Sequence, residues 1–272
     1  MSGASLEDQV ASSLAACPNP RLAHVITRMV SHLHQAIREV QLTQEEWEEG
    51  IRFLTDTGKK CDASRQEFIL LSDVLGASML VDQINHSGDD GSTQTTVFGP
   101  FYDGLQRVIP HGGTILLRPE PGVDPLMVQG KILDTAGQPI RNALIEVWQT
   151  APNGLYDVQD PQQPRGHLRA SLNSRDDGSY AFETVMPVCY PIPMDGPVGG
   201  LLRALGRSPW RPAHIHFMIT APGHRRLVTH LFLADDPHLQ SDAVFGVKDA
   251  LIRNADMQSD GKRLMLADFY LG

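Results

Sequence analysis

The chain has 272 residues, 41% of them apolar and 20% charged, so it can bury a substantial core. Its formal net charge of -9 argues against a nucleic-acid partner, because phosphate binding needs lysine and arginine to dominate a surface. Cys17, Cys61 and Cys189 are widely spaced and odd in number, which argues against a disulfide framework or a zinc ribbon.

The N-terminal residues lack the basic and apolar regions of a secretory signal, and unpaired thiols suit the cytoplasm. Leu22, Val25, Ile26, Met29, Val30, Leu33, Ile37 and Val40 recur at intervals of three and four, the pattern of one helix face. A second helix is expected from Thr43, with Glu46 three residues later completing a capping box. A third is expected from Ser64, with Glu67 in the same relation, running to about Asn85. The stretch from Phe68 to Val81 is interrupted by Ser72 and Asp73 and is too short and polar to span a bilayer.

The texture changes after Gly99: all but two of the 19 prolines lie at or beyond Pro100. Short alternating runs follow at Met127 to Asp134, Ala143 to Gln149, Ser179 to Met186, Ala213 to Thr220 and Leu227 to Leu233. In the second run Leu144, Glu146 and Trp148 face one side and Ile145 and Val147 the other. The expected fold is mainly β: an antiparallel β-sandwich catalytic domain (93–272) behind an N-terminal α-helical domain (1–92). Gly, Ser and Asp cluster at the boundary, between Ser87 and Gln94.

The run Arg211-Pro212-Ala213-His214-Ile215-His216-Phe217 places His214 and His216 on one strand face, roughly 7 Å apart along the strand. Two imidazoles so spaced can converge on a metal, or can simply sit half exposed on a polar face. Tyr156 lies in a turn-rich segment, Asn153-Gly154-Leu155-Tyr156-Asp157, and Tyr190 in a proline-stiffened one, Pro187 to Pro193. Each tyrosine could equally be a buried ring with a bonded hydroxyl. Phenolate is a hard anionic donor, so two phenolates with two imidazoles would suit Fe(III) better than zinc or copper(I). Arg203, Arg207 and Arg211 can focus positive charge locally.

The strings Tyr190-Pro191-Ile192-Pro193 and Gly206-Arg207-Ser208-Pro209-Trp210-Arg211-Pro212-Ala213-His214-Ile215-His216-Phe217 resemble the intradiol ring-cleaving dioxygenases, in their catechol and hydroxyquinol branch. Further matching strings are Thr95 to Tyr102, Ile145 to Gln149, Asn153 to Asp157 and Thr220 to His224, and the resemblance extends into the helical front. It implies one Fe(III) per subunit, held by Tyr156, Tyr190, His214 and His216, with O2 and an aromatic diol or triol as substrates. It also implies that Tyr190 leaves the metal and takes up a substrate proton, and that Arg211 stabilises charge developing on the ring. A surface ion pair is the plainer reading of Arg211.

The substrate-binding positions implied by the resemblance are Leu70, Asp73, Val97, Phe98, Gly99, Ile192, Pro193, Arg211 and Val244. Asp73, three residues after Leu70, could accept a hydrogen bond from a third ring hydroxyl, although an exposed helix aspartate reads equally well. His230 stands where the catechol branch usually has glutamine, beside the metal ligands. These features, with Ser241 to Lys248, imply hydroxyquinol (benzene-1,2,4-triol) as substrate and 3-hydroxy-cis,cis-muconate as product, with catechol as the alternative. For the helical front the resemblance implies a homodimer with a lipid-holding apolar tunnel. Two readings from other classes compete: a transthyretin-like β-sandwich binding module, and a zinc hydrolase built on the two histidines.

Overall fold

Capping and hydrophobic spacing together set the helices at the front of the chain. The computed structural model describes residues 5–62, 65–86, 90–104 and 107–272. In α1 (Leu6–Ser13), Ser5 and Asp8 form a reciprocal capping box. In α2 (Pro20–Val40), Asn19 accepts from the Leu22 N–H, proline occupies the first turn, and Gln41 ends the helix in the left-handed region. The box expected at Thr43 opens α3 (Gln44–Lys59). The Thr43 N–H donates to Glu46 Oε2 at 2.9 Å, and the Glu46 N–H donates to Thr43 Oγ1 at 3.2 Å.

The chain divides into two compact units, Met1–Asp56 and Thr57–Gly272. In the first, the Glu7 carboxylate ties α1 to α2 by accepting from Ser31 Oγ and Arg38 Nη1. The α2 apolar row stays open, with Leu22, Met29, Leu33 and Val40 each at least half exposed.

In the second unit the expected third helix is two helices, α4 (Glu67–Val74) and α5 (Ala77–Asn85). Gly76, at φ +73°, breaks the run in a conformation that costs glycine little and other residues more. The apolar pattern continues across the break, which is why periodicity reads it as one element. The expected cap at Ser64 lies outside the described residues.

The remaining elements are β1 (Pro125–Asp134), β2 (Leu144–Trp148), β3 (Arg169–Asn173), β4 (Ser179–Val185), β5 (Tyr190–Pro191), α6 (Pro197–Ala204), β6 (Trp210–Arg211), β7 (His214–Thr220), β8 (Leu227–Leu233), β9 (Ile252–Arg253), β10 (Asp256–Met257), β11 (Arg263–Leu266) and β12 (Phe269–Leu271). One sheet contains β10, β11, β1, β12 and β4; the other runs β3-β2-β7-β8-β9; β5 and β6 form a separate ribbon. Tyr180, Phe182 and Phe269 of the first sheet pack on Phe217 of the second, within one buried apolar layer. Burying a side chain of the size of Phe217 contributes about 1.5–3 kcal/mol.

Both large sheets are mixed, which corrects the antiparallel expectation. β1 runs antiparallel to β4 but parallel to β11 and β12, and β8 runs parallel to β9. Parallel neighbours need long crossovers, and the one between β8 and β9 carries Asp242 and Val244. Gly130 is required in β1 because a Cβ there would sit 1.8 Å from the Ala267 carbonyl oxygen.

Candidate metal centre and substrate cleft

Strand alternation builds the floor of the site. Ile215, Phe217 and Ile219 of β7 point into the apolar layer, so His214 and His216 point to the opposite face of that sheet. His216 is paired across the ladder with Trp148 of β2 on one side and His230 of β8 on the other. Trp148 stacks on its ring at 4.7 Å and 14°, and His230 Nε2 lies 2.7 Å from its Nδ1. Two tyrosines come from segments outside the ladder. Gly154, at φ +79°, turns the chain into Tyr156, and a Cβ there would lie 3.2 Å from the Tyr190 Cβ. Tyr190 is held on β5 directly opposite Arg211 of β6.

The structure brings the four expected donors together. Tyr156 Oη lies 3.0 Å from Tyr190 Oη and 2.8 Å from His216 Nε2. His214 Nε2 lies 3.3 Å from Tyr190 Oη and 3.2 Å from His216 Nε2. Donors about 2.1 Å from a shared cation, at angles near 90–110°, stand roughly 3.0–3.4 Å apart. The four side chains therefore fit a single metal ion in both spacing and donor chemistry.

Hydrogen bonding fixes the tautomers. His214 Nδ1–H donates to the Pro212 carbonyl at 2.7 Å, because a carbonyl can only accept, and this leaves Nε2 with its lone pair. If His216 likewise offers Nε2, its Nδ1–H donates to His230 Nε2 and His230 Nδ1–H donates to Thr96 Oγ1, at 2.8 Å. The nitrogens of His214, His216 and His230 also form a compact group, within 4.8 Å of one another. Both ring nitrogens of His230 are engaged, Nε2 with His216 and Nδ1 with Thr96.

Burial dominates the electrostatics. It pushes all three imidazoles well below the usual histidine range, helped by Arg211, so they are neutral at physiological pH. Burial pushes Tyr156 well above the usual phenol range, and Tyr190 upward against the opposing pull of Arg211. Burial would also lower Arg211, but Asp242 and then Tyr190 outweigh it and keep the guanidinium firmly charged. Arg211 is therefore a buried cation of the site, not a surface ion pair.

Leu70, Asp73, Val97, Gly99, Ile192, Pro193, Arg211 and Val244 line one cleft with Tyr190, Pro100 and Phe101. Phe98 is the exception among the expected cleft residues. It lies between Val97 and Gly99, is partly exposed, and packs on Tyr102 at 4.8 Å and Trp148 at 5.9 Å. Asp73 is buried, not an exposed helix aspartate. Thr96, Phe101, Trp148 and Asp242 were not singled out from sequence as site residues. The alternation of β2 could have marked Trp148, which shares a strand face with Glu146.

The family described as Catechol dioxygenase N terminus matches residues 19–93, and that described as Dioxygenase matches residues 99–271. The chain belongs to the intradiol ring-cleavage dioxygenases and is an enzyme, which sets aside the binding-module alternative. It is 47% identical over 266 residues to the 6-chlorohydroxyquinol 1,2-dioxygenase of Cupriavidus pinatubonensis, covering 98% of this chain and 96% of that one. It is 49% identical to the hydroxyquinol 1,2-dioxygenase of Nocardioides simplex, covering 94% and 86%. The crystal structure of hydroxyquinol 1,2-dioxygenase from Pseudomonas putida superposes with a TM-score of 0.91 at 49% identity, covering 97% and 96%. Catechol 1,2-dioxygenase from Acinetobacter superposes at 0.85 with 28% identity, covering 97% and 90%.

Proposed function

We propose that this enzyme opens hydroxyquinol with O2 between its vicinal hydroxyl-bearing carbons, giving 3-hydroxy-cis,cis-muconate, the enol form of maleylacetate, in aromatic catabolism. The observation that carries this choice is Asp73. It is a buried carboxylate in a cleft wall otherwise built of Leu70, Val97, Ile192, Pro193 and Val244. Burial raises its pKa, while a hydrogen bond from Ser78 and the charge of Arg211 oppose the rise. A third ring hydroxyl donating to this carboxylate offsets the desolvation, whereas an unsubstituted ring edge leaves it uncompensated. The similarity to hydroxyquinol and 6-chlorohydroxyquinol dioxygenases at 45–49% identity supports the same choice.

The test compares kcat/KM for the triol, catechol and 4-chlorocatechol. The triol is expected to lead, and a tenfold or greater advantage for catechol refutes the proposal. Asp73→Ala is expected to lower kcat/KM for the triol by about 10- to 100-fold, the worth of a hydrogen bond to a charged acceptor, and to leave catechol nearly unchanged.

We infer one Fe(III) per subunit, with Tyr156, Tyr190, His214 and His216 as its ligands. Ferric iron held by these residues would supply Lewis acidity toward the diol oxygens and would withdraw electron density from the ring. The protein's own part is positional. Tyr156, His214 and His216 would serve as lasting donors, and Tyr190 would hold at Oη a proton taken from the substrate. Arg211, opposite Tyr190 on the ribbon, offers fixed positive charge at the cleft wall where ring charge develops. The iron reading predicts a wine-red protein. Because both phenols are protonated and the imidazoles neutral in the metal-free protein, loading at pH 7 releases about two protons per metal from the ligands. Apparent affinity then falls roughly 100-fold for each pH unit lowered. Calorimetry in buffers of different ionisation enthalpy reads the count. Near-zero release, or a colourless protein carrying zinc, contradicts this ligand set.

We assign residues 1–92 to a helical dimerisation domain and 93–272 to the catalytic domain. The exposed α2 row, Leu22, Met29, Leu33 and Val40, supports burial against a second copy, with lipid held between the apolar faces. The three cysteines are free thiols, and among the described residues no helix is long and apolar enough to cross a membrane. We place the enzyme in the cytoplasm.

A further inference from the structure

We propose that Asp242 is a positioning residue for ring cleavage: its carboxylate pins one edge of Arg211 and, with the same oxygens, the turn that carries Val244 into the cleft wall. The inference rests on the ring-cleavage reading above. Asp242 and Arg211 are 6% and 4% exposed. Asp242 Oδ1 accepts from Arg211 Nε at 3.2 Å and from the Val244 N–H at 3.3 Å, and Oδ2 accepts from the Gly246 N–H at 2.9 Å. The Ala243 N–H donates to the Trp210 carbonyl at 3.0 Å, so the turn is also fastened to the strand that carries Arg211. Arg207 Nη2 adds a bond to the Ala243 carbonyl at 3.1 Å. A Cβ on Gly246 would lie 3.1 Å from Asp242 Oδ2 and 3.3 Å from Arg211 Nη2, so glycine leaves room for this approach.

A guanidinium presents its donors in a rigid fork, so holding one edge orients the other. With Nε on Asp242, the remaining donors are Nη1 and Nη2. Nη1 lies 3.2 Å from His214 Nε2, and Nη2 is buried with no hydrogen-bond partner among the described residues. Arg211 lines the cleft. Asp242 therefore supplies the counter-charge that permits a buried cation, and by holding Nε it fixes where the guanidinium lies in the cleft wall beside His214. Because one carboxylate holds both the cation and Val244, the electrostatics of the cleft and the shape of its wall are set together.

The experiment measures kcat and KM for the triol with Asp242→Asn and Asp242→Glu, each in the wild-type and Arg211→Lys backgrounds. In the wild-type background the Asn variant is expected to lose about 10- to 100-fold in kcat through misdirection of the guanidinium, with a smaller rise in KM from loosening of the Val244 wall. The Glu variant, which restores the carboxylate, is expected to recover most of the kcat loss. In the Arg211→Lys background the Asn substitution is expected to cost several-fold less in kcat than in the wild type, because the rigid fork it orients is already gone and only the Val244 wall is still disturbed. Equal losses in both backgrounds, a change confined to KM, or a Glu variant as impaired as Asn each overturns the inference. If circular dichroism shows that the Asn variant does not fold, the Glu variant decides: kcat near wild type supports the role and a loss beyond about tenfold overturns it. Wild-type protein that cleaves no diol overturns the ring-cleavage reading and this inference together.

Discussion

Tyr156→Phe is expected to cost the enzyme most of its metal and its turnover while leaving the apo-protein folded. The substitution removes one oxygen and keeps the ring. That ring is buried, stacks on Phe101 at 4.8 Å and lies 5.7 Å from the Arg169 guanidinium, so its packing survives. The lost oxygen is one of the four proposed donors and one of the two proposed anions. If an apparent binding free energy of about 10–16 kcal/mol is shared among four ligands, each contributes roughly 3 kcal/mol, or about 100-fold in affinity. Charge deepens the loss, since a single phenolate leaves more of a trivalent cation uncompensated in a buried site. Metal retained after dialysis, the visible tyrosinate band and the apo-protein melting temperature read the three parts separately. Full iron content with an unchanged band would show that Tyr156 is not a ligand. A collapse of the apo melting temperature would mean that the hydroxyl serves the fold instead.

The ladder around His216 was largely legible in the chain, because alternation is local. Glu146, Trp148, His214 and His216 fall on one face once the strands are recognised, and the structure pairs Trp148 with His216. The other half of the donor set was not legible from spacing. Tyr156 sits 60 residues before His216, and no periodicity connects a turn to a strand across that distance. The resemblance to the ring-cleaving family did so instead. The Thr43 capping box was readable for the same local reason as the ladder, being contained within four residues.

What escaped the sequence depended on distant partners. β3 begins with Arg169, a charged residue that hides a buried strand, and its neutralising partner Asp157 lies 12 residues earlier. α6 was not singled out in the sequence, where Gly199 and Gly200 lower its helix propensity. It is held partly by Glu67, whose buried carboxylate accepts from the Val198 N–H across 131 residues. The parallel pairing of β1 with β11 joins Leu126 to Arg263, beyond any hairpin inference. Asp242 is the plainest case. Its bonds to the Val244 and Gly246 amides look like ordinary turn chemistry, and only the fold reveals that the same carboxylate holds Arg211.

Arg211→Met is expected to lower kcat by roughly 10²- to 10³-fold with iron content preserved, because it removes a preorganised charge and no metal ligand. It should also destabilise the fold. Asp242 is buried and carries the partner charge, and removing one member of such a pair costs about 3–5 kcal/mol. In a chain of this size that corresponds to a melting temperature lower by roughly 10 °C. Asp242→Asn in the same background should restore stability at neutral pH by removing the unpaired charge, and should leave turnover low. Stability and catalysis thus separate at one residue pair. A double variant that regained turnover along with stability would show that the guanidinium serves the fold alone.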